Sequence, residues 1–425
     1  MGSVPYAFLA VTVLGAGAVL LAYHPIRREP FTLVSFIAGW IAGELAFQNI
    51  VWQIIATVLF VTYGALDGWA GWVGLGFAAL TWAGLAGLGI AGLRAADITA
   101  AALAEVRTAA FPVPSQPTPP TWGRWWRVTR AIPFRSRAVD ATLDVDYWGD
   151  GTRRHGLDVY RSRLAPPRHA PVMVYVHGGA WMIGDKREQG KPMMFELVAR
   201  GWVCVAINYR LSPNATWPEH IVDVKRAVAW VKEHIAEYGG DPAFVAISGG
   251  SAGGHLCALH ALSAGDARFQ PGFEDKDTSV QACAPFYGVM DLTSSPEASL
   301  FGSGLVEMLE KTVMKEKEDE HPDDFRDASP TFRVRPDAPP FFVLHGVNDT
   351  LVPVETARAF VARLRAVSRQ PVAYAELPLA QHAFDVLASL RCQATTSAVG
   401  DFLEAARAGT VHPGGQPSDV RTKSF

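Results

Sequence analysis

Ser251 stands in the run GGSAGG at Gly249–Gly254, after the apolar stretch FVAIS and before HLCALHAL. A serine on a sharp strand-to-helix turn projects its hydroxyl above a sheet. The turn accepts only small neighbours, which Gly249, Ala252 and Gly253 supply. The helix that follows favours negative charge near its N-terminus. Such a hydroxyl is a candidate nucleophile. It attacks poorly at neutral pH unless a base takes its proton and a carboxylate orients that base. On this kind of sheet the acid follows the nucleophile in the chain, and the histidine comes last. HGVNDTLVP puts Asp349 just past the apolar run FFVLHG, and AQHAF puts His382 just past PVAYAEL. Both fall at carboxyl ends of expected strands, where an open α/β sheet builds its site. His345 lies within its strand and is set aside as a base. His220, His234, His255 and His260 sit on helical stretches and read as packing or surface residues.

Attack on a carbonyl builds negative charge on its oxygen, and backbone N–H groups can stabilise that charge where the chain approaches closely. HGGAW at His177–Trp181, directly after PVMVYV, provides such a loop. Gly178 and Gly179 are the expected donors, with the N–H of Ala252. Ala180 stands where a third glycine often occurs, which leaves open which two loop donors act. His177 reads as a residue that holds the loop, and Trp181 as a candidate wall of a substrate pocket. The sequence carries no H-E-x-x-H, Walker loop or dinucleotide fingerprint, so neither metal nor cofactor is expected.

These residues need a sheet to position them. LDVDYWG and GLDVYRS, separated by a glycine-containing turn, read as an antiparallel pair. PVMVYVH, WVCVAINY, FVAISGG, QACAPFYG, FFVLHG and PVAYAEL are continuous apolar runs, as suits strands of a parallel sheet buried on both faces. Helical stretches separate most of them. The clearest, over 218–238, places Ile221, Val224, Val228, Val231, Ile235 and Tyr238 on one face. The expected architecture is a three-layer α/β domain of about eight strands over residues 140–408. Residues 291–340 lack a strand pattern and read as a cap. Residues 409–425 are Gly/Pro-rich and polar, and read as a disordered tail.

The chain has 425 residues, of which 49% are hydrophobic and 19% charged, an apolar balance for a globular chain. A net charge of −3 argues against nucleic-acid binding. Four cysteines without C-x-x-C pairing read as isolated thiols, suited to a reducing compartment. The apolar excess lies in residues 1–96, which hold only Arg27, Arg28, Glu29, Glu44, Asp67 and Arg94 as charges. Residues 4–23 and 69–93 are runs long enough to cross a bilayer. The stretch between them is too long for one span and holds Glu44, Gln48, Asn49 and Gln53. It reads as a span near 31–47 followed by an interfacial or re-entrant segment, with two short spans as the rival. Glu44 either faces the bundle or the interface, or is a functional intramembrane carboxylate. Arg27 and Arg28 follow the first run and Arg94 the last. Three spans put both groups on one side, expected to be cytoplasmic together with the C-terminal domain. Residues 97–139 read as a linker. It is Pro-rich at 111–120, then basic and aromatic, with Trp122, Trp125 and Trp126 among Arg124, Arg127 and Arg130. That composition suits a headgroup layer.

Together, HGGAW with GDK at 184–186, NYRLSP at 208–213 and GGSAGG resemble the α/β-hydrolase carboxylesterases and lipases near the hormone-sensitive-lipase-like branch. They also resemble isoprenylcysteine methylesterases and kynurenine formamidases. With the apolar N-terminal third, WPEHIVDVKRAVAWV, and FFVLHGVNDTLVP followed by LPLAQHAFDV, the whole is similar to the membrane-anchored Lip-type carboxylesterases of mycobacteria and related actinobacteria. The resemblance implies hydrolysis of esters, lipophilic ones given the anchor, through an acyl-serine intermediate. The same triad could serve an amidase or formamidase. The reading outside enzymes is a membrane scaffold or receptor with an inert hydrolase fold.

Overall fold

The structure, a computed structural model, describes residues 3–116, 118–119, 136–295 and 303–410. Among these, eight strands form one sheet in the order β1-β2-β4-β3-β5-β6-β7-β8. They are β1 (Val139–Asp146), β2 (Gly156–Ser162), β3 (Ala170–Val176), β4 (Val203–Ile207), β5 (Gly240–Gly250), β6 (Ala282–Phe286), β7 (Phe341–Gly346) and β8 (Val372–Leu377). β2 is antiparallel to β1 and β4, and the remaining neighbours are parallel. The continuous apolar runs have the physical cause expected of them. Along β3, Val172, Val174 and Val176 enter the core on one face, and Met173 and Tyr175 enter the core on the other.

Five helices precede the sheet: α1 (Ser3–Tyr23), α2 (Thr32–Glu44), α3 (Ala46–Thr62), α4 (Trp69–Leu93) and α5 (Ala95–Glu105). α1 and α4 run parallel in close contact. A Cβ added at Gly74 would lie 3.2 Å from Leu9 Cα, and one at Gly84 would lie 2.6 Å from Val19 Cγ1. Small residues at these crossings let the backbones approach. α3 runs the other way, with Phe47 against Gly89 at one end of α4 and Phe60 5.3 Å from Phe8 near the other.

α2 takes a different course. It meets α3 at 90° and lies along the rim of the soluble domain, with Gly39 against Gln381 and Gly43 against Leu379 and Arg391. The first half of the stretch 31–66 lies across the rim, and the second half pairs with α4. The small residues and the carboxylate of α2 face partners more than 300 residues away, which local hydropathy does not register. α1 and α4 are long and apolar enough to cross a membrane, and the bent α2–α3 pair makes at most a third crossing.

α5 overlaps the start of the stretch read as a linker. It buries Ala95, Ala102 and Leu103 in the core on one face of the sheet, joined there by Phe111 and Val113. The basic and aromatic segment at 122–130 lies outside the described residues, as do residues 411–425. The remaining helices are α6 (Lys191–Ala199), α7 (Glu219–His234), α8 (Ala252–Leu262), α9 (Ser303–Met308), α10 (Pro322–Asp327), α11 (Val354–Val367) and α12 (Leu390–Thr410). α7 buries Ile221, Val224, Val228 and Val231 as its periodicity predicts. α9, α10 and the π-helical turn at Leu309–Met314 lie between β6 and β7, and bury Leu309, Val313, Met314 and Phe325.

Candidate active site

Ser251 joins β5 to α8 at φ 57° and ψ −124°, a conformation non-glycine residues rarely adopt. Its neighbours show what holds it there. A Cβ at Gly253 would lie 2.1 Å from Val176 O, and one at Gly249 would lie 2.4 Å from the same oxygen. Side chains at these two positions would force β3 and the turn apart. The Ser251 N–H donates to Phe286 O at 3.0 Å, tying the turn to β6.

The HGG loop lies directly beside this turn. A Cβ at Gly178 would be 2.6 Å from Gly250 O and 3.1 Å from Ser251 Cβ. Gly179 has φ +123°, and a Cβ there would meet Ile183 O at 2.1 Å. The loop is held from below by the motifs that follow it. Asn208 Oδ1 accepts from the Lys186 N–H at 2.7 Å, and Asn208 Nδ2 donates to Asp185 Oδ2 at 3.1 Å. The Lys186 ammonium is buried between Asp144, at 2.8 Å, and Asp158, at 3.5 Å. Tyr209 stacks on the His177 ring at 4.5 Å, and its hydroxyl donates to His177 O at 3.0 Å. Burial lowers the His177 pKa to about 4, so the ring is neutral near pH 7. Of the three predicted N–H donors, Gly178 is engaged, because its N–H donates to Gln189 Oε1 at 2.9 Å. Trp181 is buried, edge-on to His255 at 5.1 Å.

Asp349 and His382 come together at the adjacent strand ends. His382 Nδ1 lies 2.7 Å from Asp349 Oδ2, while Asp349 Oδ1 accepts from the Leu351 and Val352 N–H groups, each at 2.8 Å. Burial opposes ionisation of Asp349. The charge of His382 and hydrogen bonds from His345 and His382 outweigh it, holding the carboxyl well below the usual carboxylate range. The two loops are stitched by Gln381 Oε1, which accepts from both the Thr350 and His382 N–H groups at 3.1 Å. The Ser251 hydroxyl has no hydrogen-bond partner among the described residues. The Asp349–His382 contact is thus closed, and no hydrogen bond joins Ser251 to His382. Contacts between a nucleophile and its base commonly tighten only once substrate is bound.

Several residues around His382 are absent from the sequence reading. The Tyr287 ring lies 4.4 Å from the His382 ring, and its hydroxyl donates to the buried carboxylate of Asp385. Burial pushes the Asp385 carboxyl up to about 6. Phe36 of α2 approaches His382 edge-on at 6.1 Å. Asp385, three residues after His382, was the one of these with a local signal. The helical histidines play the packing roles expected of them. His255 and His260 bond to the carbonyls of Ala328 and Thr278 at 2.7 and 2.8 Å, and His220 pairs with Ser212 Oγ at 3.1 Å.

A strained serine beside a glycine loop, with an aspartate–histidine pair at the next strand ends, has the parts of an acyl-transfer site. Comparison with known proteins agrees. A family model described as BD-FAE matches residues 157–364. The chain is 45% identical over 420 residues to the "Probable carboxylic ester hydrolase LipM" of Mycobacterium tuberculosis, covering 96% of this chain and 95% of LipM. The chain belongs to the Lip-type carboxylic ester hydrolases. The match to LipM spans nearly the whole Lip-type chain, so most of the N-terminal helical region lies inside it. Esterase LipQ of the same organism is 53% identical over 272 residues, 64% of this chain and 63% of LipQ. Among solved structures, esterase Est2 of the Planctomycetes species Thermogutta terrifontis, bound to propionate, superposes with a TM-score of 0.52. It is 24% identical and covers 66% of this chain and 97% of Est2, a likeness of fold.

Proposed function

We propose that this Lip-type hydrolase is a membrane-anchored serine carboxylesterase that acts through an acyl-serine intermediate. Ser251 attacks the ester carbonyl while His382 takes its proton. Asp349 keeps Nδ1 protonated, leaves Nε2 free as the base, and stabilises the imidazolium. The N–H groups of Gly179 and Ala252 receive the charge that develops on the carbonyl oxygen. His382 then gives its proton to the leaving alcohol, and water releases the acid by the same route. The observation that carries this reading is the 2.7 Å His382–Asp349 contact at the rim that also holds the strained Ser251.

Anchoring rests on α1, α3 and α4 as three crossings. The ends of α1 and α4 that lie against the soluble domain are those followed by Arg27, Arg28 and Arg94, which supports a cytoplasmic site. A rim facing the anchor suits esters that partition into the bilayer.

The test is hydrolysis of p-nitrophenyl esters of increasing chain length by the wild type and Ser251→Ala. The variant is expected to lose activity by about 10³-fold or more, and a loss of only a few-fold would refute the mechanism. Fluorophosphonate labelling of intact against opened cells reads sidedness. Labelling confined to opened cells is expected.

A further inference from the structure

The rim that carries the catalytic pair is covered by the N-terminal helices rather than by water alone. α2 meets the base loop along its length. Phe36 lies edge-on to the His382 ring, and the Trp40 indole N–H donates to Ala383 O, the residue after the base, at 2.9 Å. At the end of α2, Glu44 forms a buried ion pair with Arg391 and accepts from Ser389 Oγ at 2.6 Å, where the loop enters α12. The opposite side of α2 exposes Val34, Ile37 and Ile41. The acid loop is held as well: Asn348 Nδ2 donates to Ala22 O at 2.7 Å, and Arg27 to Val347 O at 3.0 Å. Ala383 has φ +60° and Leu379 has φ +55°, so the base loop contains two residues in a conformation that needs external support.

We propose that α2 is part of the active site. Trp40 and Glu44 are positioning residues that fix the loop of His382, and Phe36 packs on the imidazole itself. The helix read from sequence as membrane anchor thereby sets the orientation of the base, and the enzyme is built to work only with its N-terminal module docked. This inference rests on the reading of His382 as the general base. A buried ion pair between modules suits such a role. An unpaired charge in that position is costly, so the two parts seat in one register.

The experiment uses the full chain in nanodiscs, with p-nitrophenyl butyrate as substrate and a fluorophosphonate as active-site label. The variants are Trp40→Phe, Phe36→Leu, Ile37→Ala on the exposed side of α2, and Ser251→Ala. Trp40→Phe and Phe36→Leu are each expected to lower kcat about tenfold and to slow labelling equally, with KM within twofold, because a displaced base loses reactivity rather than binding. Ile37→Ala is expected to match the wild type. If Trp40→Phe does not yield folded, monodisperse protein, Phe36→Leu decides alone, since it breaks no hydrogen bond. Wild-type kcat in the deciding variants, or a change in KM alone, overturns the inference while an inactive Ser251→Ala leaves the triad standing. An active Ser251→Ala overturns the triad itself.

Discussion

Replacing Gly178 by alanine tests the loop beside the nucleophile with the smallest possible probe. The new Cβ would stand 2.6 Å from Gly250 O and 3.1 Å from Ser251 Cβ. Ordinary contact with that oxygen begins near 3.4 Å, so the loop and the turn must separate by about 0.8 Å. Neither side yields easily. Gly250 O is backbone at the end of β5, and the turn is fixed by its own close contacts with Val176 and Phe286. A displacement approaching 1 Å at a reacting centre costs on the order of 10²-fold. Moving the adjacent Gly179 N–H out of reach of the developing oxyanion costs about 10²- to 10³-fold. The two descriptions concern the same motion, so kcat is expected to fall about 10²- to 10³-fold in total. Stability is expected to fall by about 1 to 3 kcal/mol, as for other overpacked sites. Steady-state hydrolysis of a short p-nitrophenyl ester reads the first quantity, and denaturant unfolding of the purified chain reads the second. A variant that unfolds with the expected loss yet keeps kcat within threefold would refute the assignment of this loop to the oxyanion. Gly17, whose added Cβ would meet nothing within 4 Å, is the control, and Gly17→Ala is expected to be silent.

Asp349→Asn removes the charge that fixes the His382 tautomer, and is expected to lower kcat about 10³- to 10⁴-fold with little change in KM. A loss under tenfold would contradict its role as the acid. Asp385 is a buried acid with a folded pKa raised to about 6, above its unfolded value. The folded state binds the extra proton, so this group makes stability fall as pH rises from about 4 to about 6. Asp385→Asn is expected to flatten that part of the stability profile and to be more stable than the wild type at pH 7. Equal slopes from urea unfolding across that window would refute it. Asp158 accepts from Arg187 Nε at 2.6 Å and lies 3.5 Å from the buried Lys186 ammonium below the HGG loop. Asp158→Asn is expected to cost about 3 kcal/mol, the low end for a broken buried pair because Asp144 still holds Lys186. It is also expected to lower kcat by loosening the loop, and unchanged unfolding would show the network to be idle.

The sequence by itself determined the sheet and the identity of the chemistry. The strands were legible because each is buried on both faces and therefore apolar throughout. The serine turn was legible because its close contacts admit only small residues on either side of Ser251. Asp349 and His382 were singled out by chain order and by their place after strands, and the structure brings the two side chains together. The structure alone decided how these parts meet. That the Gly178 N–H is taken by Gln189, that Tyr287 lies on the imidazole, and that Asp385 accepts from the Tyr287 hydroxyl are consequences of crossing loops, which carry no local period. The contacts of α2 are the least legible of all. Its hydropathy resembles that of a span, and its partners for Glu44 and Trp40 stand more than 340 residues away in the chain. A helix that is apolar on one side and carries a carboxylate, two glycines and an indole on the other satisfies a bilayer and a protein rim equally well. Only the contact with Arg391 and Ala383 distinguishes them, because a buried charge and a buried indole N–H need a partner and the lipid offers none.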